Sequence, residues 1–262
     1  MRRHLTVVAA LAALALTACG SSASSSVTSS AVSSPSDTAA GSITVFAASS
    51  LKEAFTQIGK DYEAAHPGAK VTFNFGASST LATQITQKAP ADVFASASQK
   101  TMDTVTAAGA ATGDKVFAVN TMEIATPPNP TTPVTSLADL AKPGVKVVIC
   151  QKDVPCGAAA AKLFTQNNLT VTPVSEEVDV KAVLSKVVLG EADAGIVYVT
   201  DVLAAGTKVV GVQIPADQNV TTKYPIAPIT GSANAATAQA FVDYVLSPAG
   251  QQVLATAGFA SP

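Results

Sequence analysis

The chain has 262 residues, 48 % of them hydrophobic and only 13 % charged, with 16 Lys plus Arg against 18 Asp plus Glu and a formal net charge of −2. Its only arginines, Arg2 and Arg3, lie at the extreme N-terminus. Downstream there is then neither a bidentate phosphate clamp nor a basic footprint for nucleic acid. Beyond His4 the one histidine is His66, in a turn-like His66-Pro67-Gly68 context. No nucleophile–base–orienter triad can be composed, and an enzyme is not expected.

In chain order, Met1-Arg2-Arg3 leads into an apolar run from Leu5 to Leu16. The run is too short to span a bilayer as a mature helix and reads, over residues 1–18, as a secretory signal. Leu16-Thr17-Ala18-Cys19 resembles a bacterial lipobox, in which Cys19 is lipidated and becomes the first mature residue. The plain alternative is an ordinary signal with an incidental cysteine. An acylated Cys19 anchors the chain to a membrane through its buried methylenes, on the extracytoplasmic face. Residues 19–42 are mostly Ser, Ala and Thr and cannot build a core; they read as a flexible tether, or as a glycosylated stalk. The remaining chain of about 220 residues suffices for one large domain or two small lobes.

Ile43 to Ala47 is a short β-rich run. Leu51, Phe55 and Ile58 form one helical face, opened by a Ser50/Glu53 capping box and closed near His66-Pro67-Gly68. Val71 to Phe75 is the next strand, Leu81 and Ile85 mark a second helix, and Asp92 to Ala95 is a third strand. This β-α-β-α-β order predicts a parallel sheet covered by helices. Farther on, Val116–Glu123, Val145–Cys150, Ala194–Tyr198 and Lys208–Ile214 read as strands. Helices are expected after Cys156-Gly157, after Asp179-Val180, and from Asn234 to Leu254 with a break at Pro248. Thr126 to Pro133 is a loop between halves, and a second crossing is expected near Tyr224-Pro225-Ile226-Ala227. The acidic cluster Glu176-Glu177-Asp179 reads as a solvated helix entry.

Two strand-to-helix junctions carry neighbouring hydroxyls: Ser49-Ser50 and Ser78-Ser79-Thr80. A helix start offers unpaired N–H groups and a partial positive potential, so it suits an anion; a serine there is also, more simply, a cap. Tyr198 ends an apolar strand and by default is a half-buried core aromatic. Cys150 and Cys156, in an oxidising compartment, read as a disulfide worth roughly 2 kcal/mol. Metal binding is the weaker rival, since His66 is the only other soft ligand.

Four segments together carry a family resemblance. They are Val45-Phe46-Ala47-Ala48-Ser49-Ser50-Leu51, Phe75-Gly76-Ala77-Ser78-Ser79-Thr80-Leu81-Ala82, Ala89-Pro90-Ala91-Asp92-Val93-Phe94-Ala95-Ser96-Ala97 and Gly195-Ile196-Val197-Tyr198. The chain resembles the periplasmic type of molybdate-binding protein, and the lipobox and cysteine pair are similar to its actinobacterial branch. The resemblance implies an α/β fold of two lobes, each a mixed, mainly parallel sheet flanked by helices, with the ligand cleft between them. Residues 43–122 plus 227–262 would form one lobe and 123–226 the other. It implies molybdate or tungstate as ligand, with no cofactor and no cation site, delivered by a monomer to an ABC permease with its separate ATPase subunit. A binding protein for sulfate or another small oxyanion is the alternative.

The resemblance also implies the site. Ser50 and Ser78 would each give a hydroxyl and a backbone N–H, Cys156 and Val180 a backbone N–H, and Tyr198 its hydroxyl. Cys156 sits in Val154-Pro155-Cys156-Gly157, where the family carries alanine, and a backbone donor tolerates that change. A Cys150–Cys156 disulfide would hold this loop in its binding shape, or else narrow the site. Ser49 is taken as packing or capping.

Overall fold

The computed structural model describes residues 40–262. The expected signal, Cys19 and residues 19–39 of the expected tether lie outside the described residues. The first strand, β1 (Gly41–Ala48), passes through a 3-10 turn (Ser49–Leu51) into α1 (Lys52–Ala65). This helix buries Phe55, Ile58 and Tyr62 beside Leu51, the spacing of a single apolar stripe. Phe55 packs against the rings of Phe73, Phe117 and Phe241. The chain turns at Gly68, whose φ of 95° belongs to the region that glycine alone enters freely.

β2 (Ala69–Gly76), α2 (Ser78–Thr86), β3 (Val93–Ala95) and α3 (Gln99–Ala107) follow. Strand β1 is parallel to both β2 and β3, as the alternating pattern requires. The long strand β4 (Lys115–Thr126) then leads to β5 (Val147–Cys150), α4 (Pro155–Gln166), β6 (Ser175–Glu177), α5 (Val180–Val188), β7 (Ala194–Tyr198) and α6 (Val199–Ala205). The chain closes with β8 (Val210–Gln213), β9 (Thr221–Pro228), α7 (Ala235–Leu246) and α8 (Pro248–Thr256). The break expected at Pro248 is a fresh helix start: proline occupies the first turn and the Ser247 side chain accepts the Gly250 N–H.

The strands run in the order β2-β1-β3-β9-β4-β7-β5-β6, with β8 beside β4. β5 is parallel to β6 and β7, whereas β9 is antiparallel to β3 and β4, and β4 is antiparallel to β7 and β8. Strand β4 changes partners midway: Lys115 to Thr121 pair with β9, Met122 to Thr126 with β7 and β8. The buried apolar residues divide accordingly. One core gathers β1, α1, β9, α7 and α8 around Phe55 and Phe241; the other gathers β5, β7, α4 and α5 around Leu163, Val183 and Ile196. The first lobe has a further cluster under α2 and α3, around Phe94 and Met102.

The acidic cluster enters a helix, but from a strand: Glu176 and Glu177 lie in β6, at the sheet edge, paired with Ile149 and Cys150, and α5 begins at Val180. An edge strand with one solvated face tolerates charge, and only Asp179 serves the helix, as the cap of α5. No described helix is long and apolar enough to cross a membrane.

Candidate ligand-binding site

The cleft between the cores is bounded by strand ends and helix starts. Ser50 lies in the 3-10 turn that opens α1, Ser78 is the first residue of α2, and Val180 the first of α5. Cys156 follows Pro155 in the first turn of α4, and Tyr198 ends β7 where α6 begins. Backbone N–H groups in a first helical turn have no partner within the helix. These residues line one narrow void, with a cavity volume of about 10 Å³, together with Ala48, Ser49, Gly76, Ala77, Ala97, Val154, Pro155 and Asp179. All are shielded: Ser78 and Tyr198 are 1 % exposed, Val180 2 %, Ser50 4 % and Cys156 5 %. No lysine or arginine lines the void.

The serines are not caps. The Ser50/Glu53 capping box is absent: neither the 3-10 turn nor α1 has a side-chain cap, and neither does α2. The hydroxyl of Ser50 instead lies 2.9 Å from that of Tyr224, and Glu53 turns to Lys181. The Oγ of Ser78 accepts the N–H of Ala97 at 3.0 Å. An oxygen already accepting from a neighbour has its own hydrogen left to give. For Ser78 this is direct; for Ser50 it holds when Tyr224 donates. Burial pushes the Tyr224 phenol up in pKa, so it stays protonated and able to do so.

Tyr198 differs from its default role. Its hydroxyl is buried and accepts or donates no hydrogen bond of good geometry among the described residues, although Tyr224 and Thr222 are near. Burial first, then Tyr224 and Asp201, hold its pKa well above that of an ordinary phenol. It therefore stays protonated at neutral pH, a buried O–H donor held by no well-directed hydrogen bond, which costs free energy unless something in the void accepts it.

The second-lobe candidates, Cys156 and Val180, are placed by the backbone. Cys150 and Cys156 are joined by a disulfide, their Cα atoms 5.7 Å apart. Gly157 is required beside it: a Cβ there would lie 1.9 Å from the Gln151 carbonyl oxygen and 2.6 Å from that of Cys150. Only glycine lets the start of α4 press against the end of β5. At α5 the Asp179 side chain accepts the Ala182 N–H at 3.0 Å, so its carboxylate is engaged as the cap while the Val180 N–H remains uncommitted.

Sequence reasoning missed the supporting residues. Tyr224, Asn120, Thr200 and Asp201 are buried polar groups beside the cleft. Asn120 Nδ2 donates to Thr200 Oγ1 at 2.9 Å, and the Tyr198 N–H donates to Asp201 Oδ2 at 3.2 Å. Their only signal in the sequence is a polar residue inside an apolar run, which many surface positions share. Among the described residues, no group of three or more His, Cys, Asp or Glu is placed to hold a metal ion.

A two-lobed α/β chain with a shielded, donor-lined cleft has the form of a carrier that closes on a small solute. The model of the bacterial extracellular solute-binding proteins matches residues 43–260, and the chain belongs to that family. It is 45 % identical to the molybdate-binding protein ModA of Mycobacterium tuberculosis over 259 residues, 98 % of this chain and 97 % of that one. Among solved structures, the substrate-binding domain of a putative molybdenum ABC transporter from Clostridium difficile superposes with a TM-score of 0.65 at 29 % identity, covering 84 % of this chain and 99 % of that one. The periplasmic molybdate-binding protein of Azotobacter vinelandii gives a TM-score of 0.75 at 21 % identity over 84 % and 99 %, a likeness of fold.

Proposed function

We propose that this protein captures molybdate or tungstate outside the cytoplasm and delivers it to an ATP-driven ABC permease, held at the membrane by a lipid on Cys19. Membership of a solute-binding family makes it a carrier and not an enzyme. The observation that carries the ligand assignment is the Tyr198 hydroxyl, a buried donor in no well-directed hydrogen bond, on a residue lining a void that has no cationic side chain. With it stand the hydroxyl and N–H groups of Ser50 and Ser78 and the N–H groups of Cys156 and Val180.

This set is suited to a tetrahedral oxyanion. Each donor to a charged acceptor contributes about 1.5–3 kcal/mol, much of it offset by dehydration of the anion. Molybdate and tungstate have nearly the same bond lengths and are held alike. Sulfate is smaller and leaves some donors beyond good hydrogen-bond distance. The lobes are proposed as residues 43–122 with 227–262 and residues 123–226. The change of partner in β4 between Thr121 and Met122 supports the first limit. β9 pairs within the first-lobe sheet from Thr221, which supports drawing the second limit earlier, near Val220.

Isothermal titration of the purified protein tests the assignment. One molybdate per chain is expected, tungstate alike and sulfate far weaker. Sulfate binding as tightly as molybdate would shift the assignment to the smaller oxyanion; absence of heat with any of them, from folded and anion-free protein, would overturn it.

A further inference from the structure

Three charged side chains stand beside the cleft outside the donor shell. The Lys181 ammonium lies 2.8 Å from Glu53 Oε2 and 2.9 Å from Asp201 Oδ1. Asp201 is fully buried; the contact of its Oδ1 with Lys181 is an ion pair and not a well-directed hydrogen bond, while its Oδ2 accepts the Tyr198 N–H. Glu53 belongs to α1 in the first lobe, whereas Lys181 and Asp201 belong to α5 and α6 in the second. The remaining ion pairs, Glu63–Lys70, Asp139–Lys142 and Lys186–Glu191, each stay within one lobe. Glu53–Lys181 is thus the one ion pair among the described residues that crosses the cleft.

We propose that Glu53 and Lys181 form an electrostatic latch that holds the lobes shut over the bound anion and slows its escape. This rests on the oxyanion-binding reading above. Asp201 and Lys181 share a lobe, so the ammonium is already in place when the lobes part, and closing adds only the Glu53 arm. A pre-placed partner lowers the ordering cost of the new contact. The latch is joined to the donor shell from both sides. Lys181 follows Val180 directly, Asp201 holds the backbone of Tyr198, and Glu53 sits one helical turn beyond Ser50. Burial pulls the Lys181 pKa down, but the carboxylates of Asp201 and Glu53 outweigh it and keep the side chain charged. Lys181 is 21 % exposed and Glu53 49 %, so solvent screens the pair and its effect is modest.

The sign of a charge change at Glu53 separates the latch from plain electrostatics. Removing a negative charge near a doubly charged anion should tighten binding if only through-space repulsion matters. The latch demands the reverse. E53Q is expected to weaken molybdate binding by about two- to five-fold, within the range for partly exposed pairs, chiefly through faster dissociation. E53K, which sets two cations together across the cleft, should weaken it further, and both deficits should narrow in high salt. Glu53 is half-exposed, so these variants leave the buried Lys181–Asp201 pair intact, unlike a change at Lys181. Binding by E53Q and E53K as tight as wild type, or tighter, overturns the latch. If the wild-type protein binds none of molybdate, tungstate and sulfate, the ligand reading fails separately. The latch, which holds the lobes over that anion, then falls with it.

Discussion

The two halves of the proposed donor shell are built on different plans. In the first lobe, Ser50 and Ser78 offer hydroxyls aimed by other groups, the Tyr224 phenol and the Ala97 N–H. In the second, Cys156 and Val180 offer backbone N–H groups, aimed by the course of the chain through the disulfide, Gly157 and the Asp179 cap. Tyr198 is the second lobe's one proposed side-chain donor, and it alone is held by no well-directed hydrogen bond. A hydroxyl can be deleted by one substitution. A backbone N–H cannot, and is lost only by moving the loop that carries it.

The contrast is broken most severely at Gly157. Gly157→Val drives a side chain into the Gln151 carbonyl, and because backbone cannot give way like a flexible side chain, a stability loss of about 3 kcal/mol is expected. Chemical denaturation would measure it, and a variant as stable as wild type would show that the start of α4 is less constrained than its packing requires. Tyr198→Phe sharpens the contrast by acting with opposite signs. It removes an unpaired buried hydroxyl, so the ligand-free protein should be as stable as before or more so, while molybdate affinity falls by about 1.5–3 kcal/mol. Parallel loss of both would mean that the phenol has a structural partner. The smallest effect is expected from pH. The Tyr198 pKa is raised well above that of an ordinary phenol, so its donor is present at neutral pH and lost only as pH rises through that raised value. Affinity should therefore show no loss through about pH 10, where an ordinary tyrosine titrates. A decline centred near that point would place the phenol in a solvated setting.

Much of the fold is legible in apolar spacing. Leu51, Phe55 and Ile58 announce α1, and the alternation of strands and helices up to β3 announces the parallel part of the sheet. The elements that escape have physical reasons. In α3 only Thr101, Met102 and Val105 are buried, too few for a stripe. α6 begins at the residue after β7, with no turn chemistry between them. β6 carries Ser175, Glu176 and Glu177, residues that strands tolerate chiefly at an edge. The position of Pro225 inside β9 likewise hides a strand that pairs on both sides. At the cleft, sequence marks the helix starts but not what their side chains bond. Ser50 and Glu53 have capping-box spacing, yet each is drawn away by a partner more than a hundred residues distant in the chain, Tyr224 and Lys181. Such partners are properties of the folded molecule, invisible to local patterns.

The lack of cationic side chains in the cleft lining has a consequence for how the carrier is seen from outside. Its lining holds no cation, and the nearby lysine is already matched by two carboxylates. Dipoles stabilise an anion without cancelling it, so a captured dianion adds its whole charge to a protein that is already acidic, with a sequence pI near 5.6. Full and empty carriers therefore differ in electrophoretic mobility and in retention on an anion exchanger, not only in shape. On the proposed function, a permease would have a field to sense as well as a surface to fit.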